Sequence, residues 1–277
     1  MALPVIPCEY KDVVLKVENV SATRGGKLVL RDVNLEIRNL VRPGVTQGQV
    51  VALLGPSGVG KTTLFRILAG LDAPDSGSVL LEKECIPVRR GMVGVVAQNY
   101  PLFENRTVLS NLTVAARQAH LSGKEANDRA QQLLKLFGLE EQSGKYPVQL
   151  SGGQRQRVAI AQQLLCSGHL LLMDEPFSGL DLVAVDQVIR LIEDVALTDE
   201  LKTFILVTHD ITAALQIADT IWVLGRDRRE DGTLIPGARI QATYNLVERG
   251  LAWQHDITDT PEYVDLIREI RKLFPKL

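Results

Sequence analysis

The chain has 277 residues, of which 45% are hydrophobic and 23% charged, with a formal net charge of −2. This composition predicts a globular protein of one large domain or two small ones, and the lack of a basic excess argues against nucleic-acid binding. No apolar run approaches the roughly 18–20 residues that span a bilayer, which predicts a cytoplasmic chain unless a partner holds it at a membrane.

The start of the chain predicts β-structure that leads into a glycine-rich loop. Strands are expected over Val13–Val20 and Val33–Ile37, with a turn at Ser21–Lys27 between them. A loop with a Pro-Gly pair inside it is expected over Asn39–Gly48. The apolar run Val50–Leu54 then predicts a buried strand.

Directly after this strand comes the sequence GPSGVGKT, which precedes a helix predicted from Thr63 to Gly70. Its glycines allow the backbone to curl with its N–H groups inward, and the helix start favours an anion, so the stretch is typical of a phosphate-binding P-loop. Lys61 can reach the terminal phosphates, and the Thr62 hydroxyl can bind Mg²⁺. The predicted nucleotide-binding residues here are Gly55, Pro56, Ser57, Gly58, Val59, Gly60, Lys61, Thr62 and Thr63.

The rest of the chain alternates between strand and helix. The predicted strands are Ser78–Glu82, Met92–Ala97, Leu170–Asp174, Thr203–Thr208 and Thr220–Leu224, and helices are expected near Leu182–Ala196 and Ile211–Ala218. A helical block interrupts this alternation at about residues 99–165. The pattern predicts an α/β fold with a RecA-like P-loop NTPase core, a mainly parallel sheet, an N-terminal antiparallel β subdomain and an inserted helical subdomain.

An acidic pair ends the predicted strand Leu170–Asp174. Asp174, at the strand tip beside the P-loop, can hold Mg²⁺ directly or through water. Glu175 follows, where a carboxylate can polarise an attacking water as a general base. Alone, such a pair is often a solvated turn, but after a P-loop strand the catalytic interpretation is favoured.

A second anion-ready helix start lies at Leu150-Ser151-Gly152-Gly153-Gln154. One nucleotide has a single γ-phosphate, which the P-loop already encloses. A second phosphate-binding helix start therefore suggests that two copies sandwich the nucleotide. The alternative for Ser-Gly-Gly by itself is a well-capped helix.

Together these motifs resemble the ATP-binding subunit of an ABC transporter over roughly residues 13 to 225. LSGGQ is specific to this family among P-loop proteins. In chain order the matching motifs are GPSGVGKT, Gln98 after an apolar strand, LSGGQ, LLLMDEP, Ser178-Gly179-Leu180-Asp181 and His209 in VTHD.

The resemblance implies a role for each matched residue. Gln98 would contact Mg²⁺ or the water and sense a membrane partner through the loop 99–106. Asp181 would cross the dimer interface, and His209 would reach the γ-phosphate and hold Glu175. The implied catalytic residues are Lys61, Gln98, Glu175 and His209; the metal ligands are Thr62, Gln98 and Asp174; and the ATP of the opposite subunit would be capped by Ser151, Gly152, Gly153 and Gln154.

Two departures from the family pattern stand out. The family usually stacks adenine on an aromatic residue at a position occupied here by Arg24, whose flat guanidinium can also stack on a base. The helix after LSGGQ normally carries an Arg-Ala pair where this chain has Gln162-Gln163.

We expect an ABC ATPase domain over residues 1–225, followed by a C-terminal extension over residues 226–277. After a charged turn and a hairpin, Thr260 is the expected N-cap and Pro261 the first residue of a terminal helix. The helix has an apolar stripe, for which packing on its own domain is favoured over a docking or regulatory role. The stripe consists of Tyr263, Leu266, Ile267, Ile270 and Phe274.

The resemblance implies an ATPase that binds MgATP between two copies in a head-to-tail dimer and drives transport through separate transmembrane permease subunits. It implies a peripheral position on the inner face of the cell membrane, and import with a solute-binding protein in the complex. The tail from Leu251 to Phe274 is similar to those of nitrate-, sulfonate- and taurine-type importer ATPases. The alternative is a soluble ABC-type ATPase acting on DNA or ribosomes, which usually carries two cassettes or a long coiled-coil insertion.

Overall fold

The computed structural model describes residues 7–42, 45–198, 202–253 and 257–277. The strands are β1 (Glu9–Arg24), β2 (Lys27–Arg42), β3 (Val45–Gln47), β4 (Val50–Leu54), β5 (Ser76–Leu81), β6 (Ile86–Pro87), β7 (Gly94–Val96), β8 (Leu170–Asp174), β9 (Thr203–Thr208), β10 (Thr220–Gly225) and β11 (Arg239–Asn245). The α-helices are α1 (Lys61–Leu68), α2 (Val108–Gln118), α3 (Gly123–Leu136), α4 (Gly152–Cys166), α5 (Leu182–Thr198), α6 (Ile211–Ile217) and α7 (Pro261–Leu273).

The main sheet has the strand order β11-β10-β4-β9-β8-β7. All neighbouring strands in it are parallel except the β10–β11 pair at one edge. Every residue of β4 and β9 is buried, which explains why these strands are continuous apolar runs rather than alternating ones. Val51 and Leu53 face one core cluster, whereas Ala52 and Leu54 face another on the opposite side.

An antiparallel sheet of order β3-β2-β1-β5-β6 covers one face of α1 and the main sheet. Its long β1–β2 hairpin turns at Gly25 and Gly26, whose φ angles are both positive. Two consecutive residues with positive φ fit the two-residue hairpin turn that follows strand twist. The predicted antiparallel β subdomain and the predicted P-loop NTPase core are therefore both confirmed.

The predicted helical subdomain consists of α2, α3 and α4, which pack on one another and share a hydrophobic cluster with the opposite face of the main sheet. The departure at Gln162 and Gln163 has a structural reason. Gln162 is buried, and the Gln163 carboxamide accepts a hydrogen bond of 3.1 Å from the backbone N–H of Val95 in β7. Gln163 thus ties the helical subdomain to the edge of the sheet.

The segment after β10 packs on the core. β11 pairs with β10, and α7 packs against α6 in one cluster with the buried face of β10. Thr260 caps α7 through the N–H of Tyr263, and the Tyr263 hydroxyl donates to the Thr212 carbonyl at 3.2 Å. The apolar stripe of α7 packs on its own domain, as predicted, with Tyr263, Leu266 and Ile270 buried.

Several sequence-based bounds are wrong. β1 and β2 extend well beyond their predicted ends because they pair along most of their length, and the predicted loop Asn39–Gly48 contains the end of β2 and all of β3. Its expected breaker, Pro43-Gly44, lies outside the described residues. α1 begins at Lys61 rather than Thr63, so the P-loop lysine lies in its first turn. None of the helices in the described ranges is long and apolar enough to cross a membrane.

Candidate active site

The P-loop runs from the end of β4 into α1. Gly60 has a φ of 122°, which disfavours other residues, and a Cβ there would lie 2.9 Å from Cγ1 of Val29. Gly55 is required for close packing against β10, since a Cβ on it would lie 2.7 Å from the carbonyl oxygen of Leu224. Thr62 is exposed at the start of α1, and Ser57 and Gly58 are exposed on the loop.

The start of α1 carries no side-chain cap. In contrast, the other α-helices in the described part of the chain each begin with a capping hydroxyl or carboxylate, from Thr107, Ser122, Ser151, Asp181, Asp210 and Thr260. The first N–H groups of any α-helix lack intrahelical partners. The uncapped start of α1, with the helix dipole behind it, is therefore suited to an anion.

Lys61 is 8% exposed and lies across the loop. Its ammonium donates to the carbonyls of Gly55 at 2.8 Å and Pro56 at 3.2 Å. Burial lowers the pKa of Lys61, while the nearby carboxylates of Glu175 and Asp174 oppose that change. The predicted lysine and both predicted acids are thus close enough to interact electrostatically.

The acidic pair lies where the carboxyl ends of the parallel strands β4, β9 and β8 meet. Leu54 of β4 is level with Thr208 of β9, and Asp174 of β8 is level with Val207 of β9. Burial raises the pKa of Asp174, the Glu175 carboxylate raises it further, and Lys61 opposes the rise. Asp174 therefore bears an electrostatic cost that a cation at this edge would relieve.

Glu175 is held by β9 and by the residues that follow it. Its φ is 48°, an uncommon value for a residue with a side chain, and its N–H donates to the Val207 carbonyl at 2.7 Å. Thr208 Oγ1 donates to Glu175 Oε2 at 3.2 Å, and Nδ1 of His209 lies 2.9 Å from both carboxylate oxygens. The expected contact between His209 and Glu175 is present, and His209 is otherwise mostly exposed.

Gln98 is exposed two residues beyond β7. Since Val96 of β7 is level with Met173 of β8, Gln98 leaves the sheet at the same edge as Asp174 and Glu175. Its loop is tied to α4, because Arg155 forms an ion pair with Glu104.

The LSGGQ stretch lies in the helical subdomain, away from the layer that carries the P-loop. Ser151 accepts from the N–H of Gln154 at 3.3 Å, and the Gln154 carboxamide accepts from the N–H of Ser151 at 3.0 Å. This reciprocal capping agrees with the alternative reading of Ser-Gly-Gly as a well-capped helix, yet Ser151 and Gly152 stay exposed and Gly153 is half-buried. α4 packs on α2, α3 and β7, whereas α1 packs on β2, β8 and β9.

Two further predicted residues have structural partners of their own. The Asp181 carboxylate caps α5 by accepting from the N–H of Ala184 at 2.8 Å. Arg24 donates to Asp72 at 3.2 Å. Arg66 and, more weakly, Arg24 lower the pKa of Asp72 to about 2. Both predicted residues therefore have hydrogen-bond partners within their own chain.

Sequence reasoning missed two residues beside this site. Thr208, which bonds Glu175, directly precedes the predicted His209 and could have been found as the last residue of its strand. Arg226 donates to the carbonyl of Gly58 at 3.3 Å. No local pattern connects Arg226 to a loop so far back in the chain.

The residues present fit a magnesium ion. Thr62 is an exposed hydroxyl, Gln98 an exposed carboxamide and Asp174 a half-buried carboxylate, so all three offer the oxygen ligands that Mg²⁺ prefers. The raised pKa of Asp174 is the further sign that a positive charge is favoured there.

Comparison with known proteins agrees with this site. The family model described as ABC transporter matches residues 39–178. The sulfate/thiosulfate import ATP-binding protein CysA of Nitrosomonas europaea is 37% identical over 276 residues, with 90% of this chain and 72% of that protein covered. The corresponding protein of Cucumis sativus is 41% identical over 224 residues, with 78% and 61% covered.

Solved structures that resemble this chain are also ABC transporter cassettes. Clostridium perfringens cbiO1, described as part of the ABC transporter complex cbiONQ, aligns with a TM-score of 0.72 and 28% identity over 96% of this chain and 97% of that one. The dimeric bacterial ABC transporter cassette MJ0796 aligns with a TM-score of 0.67 and 30% identity over 84% and 98%. A second dimeric structure of MJ0796 is a post-hydrolysis state bound to ADP and Pi.

The fold and the ordered motifs define an ATP-binding cassette of the P-loop NTPase class. The chain belongs to the ABC transporter family. It spans only 61% of the length of the Cucumis sativus relative and 72% of the Nitrosomonas one.

The cost of ionising Asp174 can be measured in the nucleotide-free protein. A carboxyl whose pKa is raised in the folded state destabilises that state once it ionises, so stability is lost as the pH rises from the ordinary value of 3.8 through the raised pKa. We expect Asp174→Asn to raise the melting temperature near neutral pH, and this gain to shrink as the pH approaches 3.8.

Differential scanning fluorimetry across this pH range, without nucleotide or Mg²⁺, provides the measurement. Asp128→Asn, at an exposed position of α3, is the matched control and should leave the melting temperature unchanged. A lower melting temperature for Asp174→Asn at neutral pH would contradict the stated electrostatic cost.

Proposed function

We propose that the chain is the ATP-hydrolysing subunit of an ABC transporter and that it works as a head-to-tail dimer on separate permease subunits. The observation that carries the proposal is the uncapped start of α1 beside a lysine, an acidic pair and a histidine at one edge of the sheet. This arrangement provides an anion site, a cation site and a candidate general base next to one another.

The residues divide the work of phosphoryl transfer to water. The N–H groups at the start of α1 and the Lys61 ammonium, exchanging its loop carbonyls for phosphate oxygens, bind and neutralise the β- and γ-phosphates. Thr62, Asp174 and Gln98 would hold Mg²⁺, which would supply further charge neutralisation when bound. Glu175 accepts a proton from the attacking water, and His209 and Thr208 keep its carboxylate oriented.

Dimerisation follows from the separation of the two anion-ready helix starts. α4 and α1 pack on different elements, so we place Ser151 and Gly153 at the P-loop of a second copy rather than at that of their own. Placed against a second copy, each α4 start closes the other copy's nucleotide site, with Gln154 beside it and Asp181 at the interface. The dimeric cassette with ADP and Pi supports this arrangement.

The loop after Gln98 offers a surface for the permease. A groove of 310 Å³ lies between that loop and the helical subdomain, with Phe103 48% exposed along it. Gln98 is at the acidic edge of the sheet, so motion of the loop on permease contact reaches the site directly. Because Arg155 at the start of α4 holds Glu104 of this loop, the second copy's site is connected to it as well.

The relatives named as sulfate/thiosulfate import proteins favour import of an oxyanion. That direction implies a peripheral place on the inner face of the membrane and a solute-binding protein in the complex. The tail similarity to nitrate, sulfonate and taurine importers points to the same broad class of cargo and remains a prediction. The second candidate, a soluble ABC-type ATPase on DNA or ribosomes, has no observation in its favour.

Removing the proposed general base tests the chemistry. Glu175→Gln keeps the size of the side chain but cannot accept the proton, so we expect turnover to fall by at least about 100-fold with the ATP dissociation constant nearly unchanged. Steady-state phosphate release and nucleotide titration give the two values. Glu140→Gln, at an exposed position, is the control, and near-normal turnover of Glu175→Gln would exclude Glu175 as the base.

Capture of a membrane partner tests the proposal that the chain works with separate permease subunits. A tagged chain, purified from detergent-solubilised membranes of its host, should recover a multi-spanning membrane protein, and Phe103→Glu should lose it. Ile86→Glu, with a similarly exposed apolar side chain on β6, should retain it. Recovery of ribosomes or DNA-bound factors instead would withdraw the transport proposal in favour of a soluble motor.

A further inference from the structure

The C-terminal helix α7 lies against the element that follows the active site. It packs on α6, the short helix that begins two residues after His209. Ala214 and Leu215 of α6 share one buried cluster with Leu266 and Ile270 of α7. This packing brings the C-terminal extension close to the residues that hold the proposed general base.

α7 is held at both ends. At its start, the Thr260 hydroxyl accepts from the N–H of Tyr263 at 3.4 Å. Beyond its end, the Arg228 guanidinium donates to the carbonyls of Pro275 at 3.3 Å and Lys276 at 3.1 Å. These contacts fix α7 on the domain, so its side chains meet α6 in a defined position.

A polar contact crosses from α7 to the first turn of α6. The Tyr263 side chain is 2% exposed, and its hydroxyl donates to the carbonyl of Thr212 at 3.2 Å. Burial, assisted by the Asp210 carboxylate, raises the pKa of Tyr263 to about 12. The hydroxyl therefore keeps its proton near neutral pH, and it lies close to the residue that caps α6.

The start of α6 continues this contact to the active site. The Asp210 carboxylate accepts from the N–H groups of Thr212 at 2.9 Å and Ala213 at 3.1 Å. The N–H of Asp210 donates to Oγ1 of Thr208 at 3.1 Å. Because the Thr208 oxygen accepts this bond, its single proton is available for the Glu175 carboxylate, which lies 3.2 Å away.

A continuous series of contacts thus joins Tyr263 to Glu175. Glu175 has a φ of 48°, and a side-chain residue keeps such a backbone conformation only where its surroundings hold it. The outermost bond of the series restrains the start of α6. Its loss should let that start shift, and a displacement of about 1 Å at a reacting group can slow a reaction about 100-fold.

We propose that Tyr263 is a positioning residue for ATP hydrolysis, whose hydroxyl keeps the start of α6 where Asp210 and Thr208 orient the Glu175 carboxylate. This role rests on the proposed function and gives the C-terminal extension a part in it. The extension then acts on the hydrolysis site of its own copy, with no contact to the nucleotide.

Removal of the hydroxyl alone tests this role. Tyr263→Phe keeps the ring, so we expect kcat for ATP hydrolysis to fall about threefold to tenfold, as the loss of one hydrogen bond allows. The ATP dissociation constant should stay unchanged, because the P-loop is not part of this series of contacts. Steady-state phosphate release and calorimetric titration with MgATP give the two values.

Tyr244→Phe is the matched control. Tyr244 is 6% exposed in the same cluster, and its hydroxyl interacts with Glu269 of α7 itself. The two variants should have similar melting temperatures, but Tyr244→Phe should keep the kcat of the unsubstituted chain.

A double-mutant cycle distinguishes an effect on the general base from a general structural effect. The Glu175→Gln protein has no carboxylate at this position to orient, so adding Tyr263→Phe should change its residual turnover by less than about twofold. Single-turnover hydrolysis with enzyme in excess measures this slow rate.

Each result decides the proposal. An unchanged kcat for Tyr263→Phe, an equal fall for Tyr244→Phe, or a loss of ATP affinity in place of kcat would overturn it. A full threefold to tenfold fall on the Glu175→Gln background would also overturn it. If the unsubstituted chain neither bound nor hydrolysed MgATP, the proposed function itself would fail.

Discussion

The backbone N–H groups at the start of α1 have no side chain to bond, and the rest of the site depends on this feature. Gly60, at φ 122° against Val29, leaves no room for the hydroxyl or carboxylate that begins the other described α-helices. Unpaired N–H groups and the helix dipole favour an anion. Lys61 adds a buried positive charge, so the protein bears an electrostatic strain that phosphate would relieve.

The acidic residues Asp174 and Glu175 lie at the same edge of the main sheet as the P-loop because the strands there are parallel and in register. β8 and β9 place Asp174 beside Val207, and the turn after β8 brings Glu175 back over β9. Its positive φ is held by a backbone hydrogen bond and by contacts with Thr208 and His209. In the proposed function, these contacts keep the Glu175 carboxylate, the general base, in place while the nucleotide site opens and closes.

The core strands could be predicted closely from sequence, whereas the outer ones could not. Val50–Leu54, Leu170–Asp174 and Thr203–Thr208 have their predicted bounds, because strands buried on both faces are apolar runs that end at charged or turn residues. The end of β2 was predicted as a loop, since only its pairing with β3 makes it a strand. The motif residues were predictable by resemblance, but the contact between Arg226 and Gly58 joins residues 168 positions apart and leaves no local pattern.

In the proposed function, the nucleotide is held between two copies, and each copy closes the other's P-loop with the start of α4. Light scattering of Glu175→Gln with MgATP measures whether this dimer forms, since slow hydrolysis should keep the closed state. The mass should rise from that of one chain to that of two on addition of ATP. Adding Ser151→Arg should keep that protein monomeric while each P-loop still binds ATP, more weakly because the closing contact from the second copy is lost. A dimer that persists with Ser151→Arg, or a Glu175→Gln protein that binds ATP and stays monomeric, would contradict the claim.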